Sequence, residues 1–142
     1  MFFTKEEESR IVEAIRVAEL KTSGEIRVFV EDFCDNDDPL ARAAELFATH
    51  KMNETQDQNG VLIYIAHTSR RFAIWGDLNI HEKAGLLFWE KEKQLLRRYL
   101  QKDESCAGIC TVIHEIGDIL KINFPADKKN NPNELPNDII YG

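Results

Sequence analysis

Asn59-Gly60-Val61-Leu62-Ile63-Tyr64-Ile65-Ala66-His67-Thr68-Ser69-Arg70-Arg71-Phe72-Ala73-Ile74-Trp75-Gly76-Asp77 is the stretch that decides the fold. Val61 to Ala66 is nearly continuous in apolar residues, the pattern of a strand buried on both faces. The link His67–Arg70 is short enough to imply a hairpin, so Arg71–Trp75 returns antiparallel. Upstream, Gly24-Glu25-Ile26-Arg27-Val28-Phe29-Val30 reads as another strand, with Ile26, Val28 and Val30 on one face. Phe29 joins Arg27 and Glu31 on the other, which suits a sheet covered by helices on both sides. The segment between these strands holds a helix, and strand–helix–strand implies a right-handed parallel crossover. The start of the first strand, the start of the second and the end of the third then share one sheet edge. That geometry brings Glu25, Asn59 and Asp77 into one neighbourhood.

Working outward, Thr4 and Glu7 fit a capping box that opens a helix running to about Lys21, with Ile11, Ala14, Ile15 and Ala18 inward. Asp38 and Pro39 suit the N-cap and first position of a second helix, whose stripe is Leu40, Ala43, Ala44 and Phe47. A third helix is expected over His81 to Leu100, with Leu86, Leu87, Trp89 and Leu96 among its apolar positions. A fourth runs from about Cys106 to Ile122, with Ile109, Val112, Ile113, Ile116 and Leu120 buried. Residues 1–125 therefore form an α/β domain with a small mixed sheet and about four helices. Residues 126–142, rich in Asn, Pro, Asp and Lys, read as an extended tail that can dock through Leu135, Ile139, Ile140 and Tyr141.

The 142 residues suit one domain burying roughly two-thirds of its unfolded surface. Hydrophobic content of 43% and eight Phe support a packed core, and 25 acidic against 18 basic residues give a net charge of −7. That balance argues against a nucleic-acid partner and is compatible with cation binding. No run approaches a membrane span, and Met1-Phe2-Phe3-Thr4 does not look like a signal peptide. Cys34, Cys106 and Cys110 show no disulfide framework. The expectation is a soluble, cytoplasmic monomer without membrane insertion.

Thr22-Ser23-Gly24-Glu25-Ile26-Arg27-Val28, then Asn59-Gly60-Val61-Leu62-Ile63, then Arg71–Asp77, resemble the TPM domain. Phe88-Trp89, Gly117-Asp118-Ile119-Leu120 and Phe124-Pro125 add to the likeness. Asn133-Glu134-Leu135-Pro136 is similar to the close of short, soluble bacterial members. The resemblance covers almost the whole chain. It implies an α/β/α sandwich with strands one and two parallel and strands two and three antiparallel. It also implies calcium binding, as in some members, at a sheet edge matching Glu25, Asn59 and Asp77. Plant thylakoid-lumen members are described as acid phosphatases with a role in photosystem repair, and an animal relative modulates a membrane receptor. Many relatives carry a signal peptide or anchor, a feature this sequence does not display.

Calcium takes about six to eight oxygens, magnesium fewer from protein and more from water. Glu25, Asn59 and Asp77 offer two carboxylates and an amide oxygen, Asp57 is a further ligand candidate, and carbonyls of Thr55–Asn59 and Asp77–Ile80 can complete a shell. Binding on the order of 10⁻⁵ to 10⁻³ M is expected from so few charges. The plainer account is turn chemistry at Asn59-Gly60 and Gly76-Asp77, with Glu25 a solvated strand end.

Other motifs fail on spacing. Asp35-Asn36-Asp37 is not an EF-hand, because Leu40 and Leu46 stand where glycine and glutamate are required. His81-Glu82 and His114-Glu115 lack the second histidine of a zinc helix, with Gly85 and Asp118 in its place. Cys106 and Cys110, one turn apart, read as packing. No phosphatase nucleophile is identifiable. An alternative to pure cation binding is metal-assisted, phosphatase-like hydrolysis with His81 as proton donor. A third is a protein-interaction module using Trp75, Trp89, Phe72 and Phe88 or the tail to engage a protein partner.

Overall fold

A computed structural model of the chain describes residues 2–126 and 135–142. The fold-deciding stretch forms β2 (Gly60–Ala66) and β3 (Arg71–Gly76), antiparallel, with Val61 opposite Gly76 and Ala66 opposite Arg71. β1 (Glu25–Glu31) lies parallel to β2, Glu25 opposite Gly60. Every residue of β2 is buried, as its unbroken apolar run requires.

Helices cover both faces. Ile26, Val28, Val30, Val61, Ile63 and Ile65 pack against α1 (Lys5–Glu19), α5 (Ser105–Asn123) and Leu96 of α4 (Leu86–Gln101). Phe29, Leu62, Tyr64 and Ala73 meet Ala43, Leu46 and Phe47 of α2 (Pro39–Thr49), with Met52 from a 3₁₀ turn. Each fully buried Leu or Ile in these layers contributes roughly 1.5–3 kcal/mol. The capping box at Thr4 forms in both directions, at 3.1 and 3.0 Å. Asp38 caps α2 by accepting from the Ala41 amide at 3.1 Å. The core of α5 is Ile109, Val112, Ile113, Ile116 and Leu120, as its spacing predicts.

Three local expectations change. The α2 stripe is rotated toward Leu46, and Leu40, in the first turn, is exposed. The expected third helix is two, α3 (Leu78–Ala84) and α4, because Gly85 adopts φ 84° and breaks the hydrogen-bonded run. That corner leaves Leu86 and Leu87 in solvent instead of in the core. The end of the tail also adds a strand, β4 (Ile140–Tyr141), parallel to β1 and giving the order β3-β2-β1-β4. The Gly142 amide donates to Val30 O at 2.8 Å and the Tyr141 hydroxyl to Glu8 Oε2 at 2.6 Å. The tail's residues 127–134 lie outside the described residues. Among the described residues no helix is long and apolar enough to cross a membrane.

Candidate functional site

The edge formed by the start of β2 and the end of β3 is clamped by backbone bonds. The Asp77 amide donates to Gly60 O at 2.9 Å, and the Asn79 amide to Gln58 O at 3.2 Å. Asn79 Nδ2 adds a bond to Asp57 O at 2.9 Å, so the first turn of α3 holds the loop that precedes β2. Close packing on the other side of β3 requires Gly76, where an added Cβ would come within 2.9 Å of the Trp89 ring.

Side chains then link along this edge. Ser23 Oγ donates to Asp57 Oδ2 at 2.7 Å and accepts from Asn59 Nδ2 at 3.0 Å. Asn59 is wholly buried, at 0% exposure, and its Oδ1 has no hydrogen-bond partner among the described residues. Asp77 Oδ1 caps α3 by accepting from the Leu78 amide at 2.7 Å. The other oxygen, Asp77 Oδ2, is buried and likewise receives no hydrogen bond, as does the buried Thr55 Oγ1. Uncompensated, each such oxygen costs about 1–3 kcal/mol.

Glu25 is buried at the same edge but belongs to a different set of contacts. Its strand position shares a face with Arg27 and Phe29, whereas Asn59 keeps the alternation of Val61 toward the opposite face. Glu25 lies against Glu19, whose carboxyl is pushed up to about 9, first by burial and then by the charge of Glu25. Glu19 Oε2 accepts from the Ile26 amide at 2.9 Å. Burial also lowers the Arg27 guanidinium, although both glutamates and Asp138 oppose that shift. The structure thus joins Asp57 to Asn59 through Ser23 and ties Asp77 to the same loop through Asn79. Glu25 stands one pleat away, in a buried acid pair.

Two expected contributors take other roles. The carbonyls of Asp57, Gln58 and Asp77 already accept from Asn79 Nδ2, the Asn79 amide and the His81 amide. His81 stacks on Trp89, ring centroids 6.2 Å apart and 9° from parallel, and its carbonyl accepts from Trp89 Nε1 at 3.2 Å. Among the described residues no group of three or more His, Cys, Asp or Glu is placed to hold a metal. Any hard-cation set at this edge therefore combines carboxylates with amide and hydroxyl oxygens. Ser23 and Glu19 belong to the neighbourhood and were not singled out by sequence, and Thr55 and Asn79, expected to offer carbonyls, contribute side chains there as well. Ser23 looks like an ordinary turn residue and Glu19 like a solvated helix position, so only tertiary contact reveals them.

Trp75 packs with the α2 layer, and Phe72, Phe88 and Trp89 with the α1/α5 layer. Cys106 and Cys110 are free thiols raised by burial, Cys110 to about 11.

Comparison with known proteins agrees with this architecture. A family model described as the TPM domain matches residues 1–119. The chain belongs to the TPM domain family. The NMR structure of BA42 from the psychrophilic bacterium Bizionia argentinensis is 39% identical, with 100% of this chain and 97% of that one covered and a TM-score of 0.92. The N-terminal domain of cg2496 from Corynebacterium glutamicum is 14% identical over 83% of this chain and 74% of its own, with a TM-score of 0.67, a likeness of fold. No curated protein matches significantly. The mixed sheet between helix layers, with β1 and β2 parallel and β3 antiparallel, is the architecture of this TPM domain.

Proposed function

We propose that this TPM domain binds a divalent cation, calcium in preference to magnesium, at the edge held by Asp57, Asn59 and Asp77. Glu25 supplies negative charge from the adjacent strand. The observation that carries the reading is the pair of buried oxygens, Asn59 Oδ1 and Asp77 Oδ2, that no donor reaches among the described residues. Leaving such groups uncompensated is expensive, and a hard cation compensates both an amide oxygen and a carboxylate. Oxygen-only donors on a loop and two strand ends suit calcium, which accepts irregular geometry. Magnesium demands a near-octahedral shell and sheds water reluctantly. The role is regulatory or structural, with affinity on the order of 10⁻⁵ to 10⁻³ M.

The test is an ¹⁵N-NMR titration with calcium and then magnesium on the wild type and on Asp77→Asn, which keeps a capping oxygen and removes the charge. Saturable shifts confined to Ser23, Glu25, residues 55–60 and residues 77–80, and weakened in the variant, are expected. Shifts that are diffuse, or equal in wild type and variant, would overturn the reading.

A further inference from the structure

α1 and α5 lie side by side in the same direction. Cys106 Sγ reaches Glu7 O at 3.7 Å near their starts, and Gly117 meets Ala18 near their ends. A Cβ added at Gly117 would come within 2.8 Å of Ala18 Cβ, so the helices touch there through small residues. Small residues leave space on the outer side of the contact. A trough of about 360 Å³ extends there from Arg10 to Lys21, floored by Ala14, Val17, Ala18 and Gly117 beside the half-buried Cys110. Positions 14, 17, 18 and 21 share one helical face, as do 110, 114, 117 and 118, so two stripes form its walls. At about 1.5 Å of rise per residue the trough is roughly 16 Å long. Its volume lies at the small end of the roughly 300–1,000 Å³ of ligand pockets, so a slim, elongated ligand fits it best.

The charges around the trough are unevenly committed. At its far end Lys21 and Asp118 both border the space and offset one another, and Asp118 Oδ2 also lies 3.6 Å from His114 Nε2. At the near end Glu13 is held by Arg16 through two bonds, at 2.8 and 2.6 Å. Arg10 forms no ion pair among the described residues. Glu6, one turn before Arg10, is accompanied by Lys5 in a second, more open hollow that Arg10 also borders.

We propose that this trough binds an anionic single-chain amphiphile, an alkyl carboxylate, with its carboxylate on Arg10 and its chain laid over Ala14, Val17 and Ala18 toward Lys21. The proposal goes beyond the cation reading and does not depend on it. A guanidinium presents a planar fork that matches a carboxylate. Because Arg10 is exposed and opens onto the second hollow, the bound carboxylate keeps water on one side and its desolvation is limited. The chain covers apolar floor that is otherwise wet, including Val17 at 37% exposure. The methylenes of Lys21 can lie along the chain's end with the ammonium in water. Cys110 belongs to the same end as Arg10, whose charge reaches its thiol, so a ligand seated there covers the sulfur.

The experiment is an ¹⁵N-NMR titration of the whole chain, in EDTA, with dodecanoate below its micelle concentration. Octanoate and dodecyltrimethylammonium serve as probes of chain length and of charge. Alkylation of Cys110 by iodoacetamide, followed by peptide mass mapping, is measured with and without dodecanoate. Expected are saturable shifts confined to residues 10–21 and 110–118, and alkylation of Cys110 slowed at least about fivefold at saturation. Octanoate should bind at least about tenfold more weakly, and Arg10→Gln should weaken dodecanoate by about the same factor. Val17→Glu, which places a like charge on the floor, should abolish binding while the variant's own spectrum shows the fold intact. Equal binding of the cationic amphiphile, or an Arg10→Gln variant of unchanged affinity, would overturn the carboxylate's place. Shifts centred on the exposed Leu86 and Leu87, or Cys110 alkylated at the same rate throughout, would overturn the trough as the site.

Discussion

Replacing Glu92 by Gln should make the protein more stable at alkaline pH and leave it nearly unchanged at acidic pH. Glu92 is an α4 residue with 0% exposure, and neither carboxyl oxygen receives a hydrogen bond from a donor among the described residues. It faces Glu115 of α5. Burial first, and then contact with Glu115, raise the Glu92 carboxyl to about 8. The same contact holds Glu115 low, helped by Lys91, whose Nζ is 3.1 Å from Glu115 Oε1, and by His114. The pair thus keeps one proton at neutral pH. Because the folded pKa lies above the unfolded value, the folded state binds the extra proton between the two. Stability is therefore greatest below the ordinary value of 4.5 and declines as pH rises toward about 8. The full shift would correspond to about 5 kcal/mol, and the opposite shift at Glu115 returns part of it, leaving about 1–3 kcal/mol. Gln has no proton to lose in this pH range and can donate to Glu115 at every pH. Urea denaturation at about pH 5.5 and about pH 8.5 should show the wild type losing that much more than Glu92→Gln, both proteins keeping the decline that the raised Glu19 carboxyl contributes; in thermal melts the same gap is about 3–9 °C in Tm at the alkaline end. Parallel pH curves for the two proteins would refute the shared proton. A variant weakened equally at both pH values would show that packing, not ionisation, governs the site.

Three further outcomes follow from particular contacts. Asp77→Ala removes the α3 cap and should cost about 0.5–2 kcal/mol in cation-free urea melts, whereas Asp77→Asn should cost less than half as much. Gly108→Ala would place a Cβ 2.5 Å from Tyr99 Cβ, so the α4–α5 contact must open. A loss of about 1–3 kcal/mol is expected in the same assay, and a neutral result would show that the helices move apart freely. Tyr141→Phe deletes the hydroxyl that donates to Glu8 and should speed amide exchange at Val30 and Gly142 while leaving β2 untouched. Unchanged exchange at those amides would mean that β4 is held by its backbone pairing alone.

Much of the architecture was legible because it depends on patterns that local sequence carries. The continuous apolar run Val61–Ala66 and the short link after it determine two strands and their direction, and the crossover through α2 determines the third. What the pattern missed depends on geometry that propensity does not encode. Leu86 and Leu87 fit a helical stripe only if the helix continues through Gly85, and the positive φ there turns them outward. Leu40 has the right spacing for the α2 stripe, but Leu46 takes the inward position. The strand at Ile140–Tyr141 follows a segment rich in Asn and Pro, and its pairing with Phe29 and Val30 spans most of the chain, so nothing local announces it.

The candidate edge divides along the same line. Topology brings strand ends together, and that much follows from counting strands and connections. Which side chains face one another depends on the pleat, and a one-residue offset sends neighbours to opposite faces. Glu25 pairs with Gly60, so Asn59, one position earlier, falls outside that register and keeps the other face. The residue that connects Asn59 to Asp57 is Ser23, from the turn before β1, and it was invisible as a site residue. A hydroxyl so placed fixes the amide of Asn59 with its nitrogen inward and leaves Oδ1 as the buried oxygen without a donor. Ser23→Ala should therefore free that amide to rotate. With no hydroxyl to hold its nitrogen, the Asn59 amide can flip, exchanging the positions of Nδ2 and Oδ1, and lose the acceptor a cation requires. Calcium affinity should fall by about tenfold although no formal charge has changed. An unaltered affinity in Ser23→Ala would remove Asn59 Oδ1 from the donor set and leave the two aspartates to carry the site.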